Sequence, residues 1–165
     1  MNAIRLTALA SLMGTVLSAS AMAGVVDSPL PILDGKKSKH VYTIPGVVAS
    51  TLLATAVTCT SLEKAKDARF TVQYFPAAGG DAENIIGVGT ALGPGETKVV
   101  STQGTTLSEG TFGLADSNAP RSGRVVATSA KLSCTAAVLE RGLDGTVPNA
   151  SWSLTIIKKT KQKGD

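Results

Sequence analysis

Three stretches of this chain alternate apolar and polar side chains without interruption. In Arg69–Phe75, Phe70, Val72 and Tyr74 fall on one side of an extended backbone, and Arg69, Thr71 and Gln73 on the other. Lys131–Leu139 repeats the pattern, with Leu132, Cys134, Ala136 and Val138 opposite Lys131, Ser133, Thr135 and Ala137. Near the end, Trp152, Leu154 and Ile156 alternate with Ser151, Ser153 and Thr155. A period of two is the mark of a half-buried strand, and the Val, Ile and Thr that supply it suit a pleated surface.

Further candidate strands are Lys39–Ile44, Ser50–Thr60, Ile85–Leu92, Thr97–Ser101, Gly110–Leu114 and Gly123–Ser129. Turn chemistry separates them: Pro45-Gly46, Gly79-Gly80-Asp81, Gly93-Pro94-Gly95, Gly104, Asn118-Ala119-Pro120 and Asp144-Gly145. Only 61–68 has the makings of a helical turn. The pattern predicts an all-β fold, an antiparallel two-sheet β-sandwich of roughly seven to nine strands. The architecture is immunoglobulin-like, but the chain is not a true immunoglobulin domain. Trp152 follows both cysteines instead of lying between them, and Leu132 stands where that family places a tyrosine.

The first 23 residues read differently. Arg5 precedes the apolar run Leu6–Leu17, and Ala21-Met22-Ala23 offers small residues at the −1 and −3 positions of a cleavage site. This predicts a signal peptide removed between Ala23 and Gly24. About a dozen apolar residues fall short of the roughly 20 that span a bilayer, and no later stretch approaches that length. Arg5 leaves with the segment, so the net charge of +4 falls by one. The expected organisation is a signal peptide (1–23), an extended lead-in or linker (24–38), a β-sandwich domain (39–158) and a basic C-terminal tail (159–165). The expected destination is the periplasm or the exterior.

An exported chain with two cysteines predicts one disulfide, Cys59–Cys134. Both residues lie on apolar faces, so the bridge either crosses the core or joins neighbouring strands. Closing a loop of about 75 residues stabilises the fold by about 4 kcal/mol on the chain-entropy account.

The signal peptide, Val41-Tyr42-Thr43-Ile44-Pro45-Gly46, the first cysteine, and Val126-Ala127-Thr128-Ser129 leading into Cys134-Thr135-Ala136 together resemble exported bacterial β-rich proteins of uncharacterised function. The resemblance implies the compartment and the fold class and assigns no site. It also implies that Asn149-Ala150-Ser151, formally a glycosylation acceptor, goes unmodified.

Residues that carry chemistry are few. His40 is the only histidine, set beside Lys36, Lys37 and Lys39, and reads as a surface side chain in a basic stretch. No Gly-x-Ser-x-Gly elbow accompanies it. Asp81 and Glu83, with Asn84 following, read as a solvated hairpin turn and fall short of a calcium loop. Gly87-Val88-Gly89 lacks the third glycine of a dinucleotide fingerprint, and no Gly-Lys-Ser/Thr follows Gly93-Pro94-Gly95. Lys158, Lys159, Lys161 and Lys163 are candidate contacts for an anionic surface, but read first as a solvated tail that keeps an apolar last strand from pairing with another chain. Aromatics make up only 4% of the chain. Tyr42, Phe70, Tyr74 and Trp152 are expected to face inward, with Phe75 and Phe112 the exceptions. Without stacking aromatics or a recognisable module, nucleic acid is not an expected partner.

No catalytic residue, metal site or cofactor is expected. The leading expectation is a non-catalytic structural, surface or adhesion-type protein whose partners are other proteins or cell-surface polymers. One form of it is a pilus-like subunit with residues 24–39 as donor, although that arm lacks the alternating apolar pattern of a strand. A carbohydrate- or small-ligand-binding module is the alternative. A secreted hydrolase using Asp81, Glu83 or His40 comes third.

Overall fold

The computed structural model describes residues 24–84, 89–105, 107–111, 117–141 and 151–159, and every regular element among them is a strand. In chain order these are β1 (Ile32–Leu33), β2 (Lys36–Lys37), β3 (Lys39–Ala49), β4 (Leu53–Ser61), β5 (Ala68–Pro76), β6 (Thr90–Leu92), β7 (Thr97–Ser101), β8 (Gly110–Thr111), β9 (Ser117–Ala127), β10 (Leu132–Glu140), β11 (Ser151–Leu154) and β12 (Ile157–Lys158).

Two layers result. Sheet I runs β11-β10-β4-β7-β8 and sheet II runs β12-β3-β9-β5-β6. Among the described residues they are continuous only at the β3–β4 hairpin, where Ala49 pairs with Ala54. The pairings are antiparallel apart from β7 with β8. This is the sandwich that the alternation predicts.

The alternating positions meet in the middle. Sheet I contributes Val57, Cys59, Leu132, Cys134 and Ala136, and sheet II contributes Tyr42, Ile44, Phe70, Val72, Tyr74 and Val125. Burying each large apolar side chain stabilises the fold by about 1.5–3 kcal/mol. The Tyr42 hydroxyl crosses the core and donates to the Leu132 carbonyl at 2.7 Å, so its polar tip is satisfied where water is excluded. Gly123 faces the same core. A Cβ there would lie 3.0 Å from Val47 Cγ2 and 3.4 Å from the Gln73 carbonyl, so β9 can lie this close to its neighbours only without a side chain.

Cys59 and Cys134 face each other on β4 and β10, with Cα atoms 4.2 Å apart, and are bonded. The bridge therefore joins neighbouring strands of sheet I and does not span the two layers. Beyond it, Thr55 Oγ1 accepts from Val48 N at 2.8 Å and donates to Val48 O at 3.1 Å, while Thr102 Oγ1 accepts from Thr55 N at 3.0 Å. These hydroxyls stitch the hairpin where the layers join.

Several sequence expectations change. Pro45-Gly46 and Asn118-Ala119-Pro120 read as turns, yet both lie inside long strands. The β3–β9 register slips between Ile44 and Val47 and again between Val47 and Ala49. Proline has no N–H for the ladder, and a bulge absorbs the loss without ending the strand. Of the strand expected over Ile85–Leu92, Thr90–Leu92 is present and residues 85–88 lie outside the described residues. Of Gly110–Leu114, Gly110–Thr111 is a strand and residues 112–116 lie outside.

Residues 24–38 are not a free lead-in. β1 and β2 form a hairpin whose turn takes positive φ at Asp34 (51°) and Gly35 (72°), and Leu33 is fully buried. The Arg69 guanidinium clamps this hairpin, pairing with the Asp34 carboxylate at 2.9 Å and donating to the Gly89 carbonyl at 3.2 Å. The folded body therefore begins before residue 39. At the other end β12 pairs with β3, and Lys159 N continues the contact to Val41 O at 2.9 Å.

Candidate functional site

The outer face of sheet II is built from alternate residues of β3, β9 and β5. Arg124 on β9 stands opposite Thr43 on β3 and Gln73 on β5, and Val126 stands opposite His40 and Thr71. An outer face normally meets water, but here Arg124, Val126, Thr71, Gln73 and Phe75 are all buried. The N-terminal arm, residues 24–31, lies against this face, and its backbone supplies the contacts.

Arg124 is the centre of the layer. Its Nε donates to Gln73 Oε1 at 2.8 Å, Nη1 to the Val25 carbonyl at 3.1 Å, and Nη2 to the Pro29 carbonyl at 2.8 Å. The guanidinium lies 5.0 Å from the centroid of the Phe75 ring, a cation–π contact. Burial pulls its pKa down, but a guanidinium stays charged at any physiological pH. Among the described residues no carboxylate pairs with it. Neutral oxygens and a ring face carry a full positive charge.

His40 belongs to the same layer. It is half-buried, with Nε2 3.1 Å from the Tyr42 carbonyl and 3.0 Å from Thr43 Oγ1, while Nδ1 is buried without a hydrogen-bond partner among the described residues. Burial first, then the charges of Arg124 and Lys159, hold its pKa below the usual imidazole value, against the Tyr42 hydrogen bond. The expected surface histidine of a basic stretch is instead half-buried in the layer that holds Arg124, one same-face rung along the β3–β9 ladder from it.

The arm covers these polar groups with backbone and turns apolar side chains outward. Val26 and Leu30 on the arm, and Ile32 where the arm enters β1, are 66%, 42% and 58% exposed. Leu30 and Ile32 also line a surface depression of about 270 Å³ with Lys37 and Ser38. The arm is further tied down by Ser38 Oγ, which donates to the Pro31 carbonyl at 2.5 Å.

The paired acids separate. Asp81 is exposed, while Glu83 forms an ion pair with Arg121. Asn84 is not solvated. Its Oδ1 accepts from Tyr74 N at 2.9 Å and its Nδ2 donates to Val72 O at 2.7 Å, which is the exchange a neighbouring strand residue would make with β5. The loop read as a solvated turn thus closes part of the β5 edge. Arg121 and Val126 mark opposite ends of this stretch of β9, about 16 Å apart at strand rise. Glu83 beside the first and His40 beside the second are not brought together. Among the described residues no three metal-ligating side chains cluster.

The other expected positions scatter. Lys158 and Lys159 are exposed, and Ala21, Ala23, Lys161 and Lys163 lie outside the described residues. Phe75 is buried, contrary to expectation, Phe112 lies outside the described residues, and Trp152, expected inside, is 54% exposed on β11. The outer face of sheet I carries a depression of about 260 Å³ lined by Ala56, Thr58, Val99, Leu107 and Thr135 among others. It offers methyls and hydroxyls but no group that titrates. Sequence reasoning misses Arg124, the organiser of the buried layer. Its one signal is an arginine set among valines inside a candidate strand.

Comparison of the chain with protein-family models, with curated proteins and with solved structures returns no match.

Proposed function

We propose that this chain is an exported structural or surface protein that works through non-covalent contacts made by its N-terminal arm. In this reading residues 1–23 direct export and are removed after Ala23, leaving Gly24 at the start of the arm. The Cys59–Cys134 disulfide supports an oxidising destination. The observation that carries the reading is the arm's inversion: its backbone is consumed in holding Arg124, while Val26, Leu30 and Ile32 are presented to the outside. Leu30 and Ile32 share one surface depression, and exposed apolar side chains gathered together are the ordinary signature of a contact surface. The test compares residues 24–165 with the V26D/L30D/I32D variant in sedimentation velocity and in adherence to the producing cell. Association or adherence that survives all three aspartates rejects the arm as the contact surface.

Trp152 favours a second reading, a carbohydrate- or small-ligand-binding module. An exposed indole on an edge strand is the side chain that stacks on a sugar ring. Titrating a panel of cell-surface polysaccharides against intrinsic tryptophan fluorescence checks it, since Trp152 is the chain's only tryptophan. An unchanged spectrum across the panel removes this reading.

A further inference from the structure

We infer that the arm of residues 24–31 is exchangeable, and that what replaces it over Arg124 is the same arm of a second copy of this chain. The inference rests on the reading of the arm as a contact surface and adds the partner and the seat.

The seat has a defined occupant. A fully buried guanidinium costs several kcal/mol unless its N–H groups find acceptors, and two of the three it uses are carbonyls of the arm. When the arm departs, water reaches the guanidinium and takes up those N–H groups, and an equivalent pair of oxygens from another arm restores the covered arrangement. The pair that fits is defined by Val25 and Pro29, and every copy of the chain carries it. Because the contacts are to backbone, they are the same within one chain and between two. This makes exchange of an identical element a low-cost route to association.

The attachment is uneven along the N-terminal segment. From Leu33 onward the hairpin is fixed by its buried leucine and by the Asp34–Arg69 ion pair. Before it, the arm is held by Arg124, by Ser38 on the Pro31 carbonyl and by its own Ser28 N to Gly24 O turn at 3.0 Å. The hinge is therefore Pro31–Ile32. Pro29 and Pro31 favour an extended chain without demanding ladder hydrogen bonds. Val26, Leu30 and Ile32 face water in a lone chain. Where two arms cross on leaving their bodies, these side chains lie against each other.

The experiment uses residues 24–165 with the disulfide intact and a fluorescent synthetic peptide of residues 24–33. Sedimentation velocity between about 10 µM and 1 mM reads the associated fraction with and without excess peptide. The expected result is association that rises with concentration, saturable peptide binding, and an associated fraction that falls several-fold when peptide is added. Arg124→Lys keeps the charge but loses the fork, and should weaken peptide binding by about tenfold. If that variant fails to fold, a scrambled peptide with Pro29 and Pro31 displaced serves instead, and equal binding of the scrambled peptide overturns the inference. Association that persists under saturating peptide overturns it while leaving the contact-protein reading standing. A chain monomeric at 1 mM that also fails to bind peptide overturns both.

Discussion

Sheet I carries its reinforcement inside the sandwich and sheet II carries its own outside. In sheet I a disulfide ties β4 to β10 on the core face, and the outer face is left to small side chains, Ala56, Thr58, Thr135 and Ala137. In sheet II the core face is ordinary aliphatic and aromatic packing, while the outer face holds Arg124, Gln73, Thr71 and Phe75 under a strap of backbone. A covalent bond acts largely on the unfolded chain and is indifferent to what covers the sheet. A buried cation is stabilising only while every donor is occupied, so it makes the strap part of the fold. The two devices should therefore fail differently.

Removing the disulfide, in the C59A/C134A variant or by reduction, is expected to have the largest effect, about 4 kcal/mol in denaturant unfolding. Hydrogen exchange of residues 24–33 should be unchanged relative to the rest of the chain. Selective loosening of the arm in this variant would erase the contrast between the sheets. Arg124→Met should cost about 3 kcal/mol, because Gln73 Oε1 and two carbonyls lose their donor. Here the arm should exchange and be cleaved by protease well before global unfolding, whereas protection in β4 and β10 persists. Uniform loss of protection would mean that the strap and the sandwich are one cooperative unit.

Gly123→Ala tests the core face of sheet II alone. The added methyl, 3.0 Å from Val47 Cγ2, should destabilise by about 2 kcal/mol through overpacking and leave arm protection intact. The smallest effect expected is a pH dependence. Folding holds the His40 pKa below its unfolded value of 6.5, so the folded state binds fewer protons than the unfolded one. Its contribution is present above pH 6.5 and is lost as pH falls below that value toward the folded pKa. His40→Gln should flatten the slope of stability against pH in that window. Since the charges that disfavour protonation are Arg124 and Lys159, the slope belongs to sheet II, and the disulfide variant should retain it.

The sandwich is legible in the sequence because its core strands obey a period of two. Phe70, Val72 and Tyr74, and Leu132, Cys134 and Ala136, announce their inward faces by spacing alone. The covered layer is illegible for the same reason. Arg124, Gln73 and Thr71 occupy polar positions of the alternation, and a period-two reading assigns them to solvent. Their burial depends on a segment 95 residues away in sequence, as in the Arg124–Pro29 contact, and on carbonyls, which every residue possesses. Asn84 is hidden similarly, since a side-chain amide acting as a strand partner has no pattern. Pro45 and Pro120 mislead in the opposite direction, since the residue that ends many strands also makes bulges. Trp152 sits on an edge strand, where the inward side of the alternation is no longer roofed by the other sheet.

The placement of the disulfide between neighbouring strands also fixes how the chain answers to tension. Pulled from its two ends, the protein can release the residues before Cys59 and after Cys134, but the loop between them lies behind the covalent bond. At about 3.5 Å per residue that loop hides about 260 Å of contour length, which becomes available only on reduction. A subunit built this way, set in a loaded assembly, would yield in its strap, in β3, β11 and β12 and in the outer parts of β4 and β10, and then stop, with β5 to β9, most of sheet II and the smaller part of sheet I, still out of reach of the force.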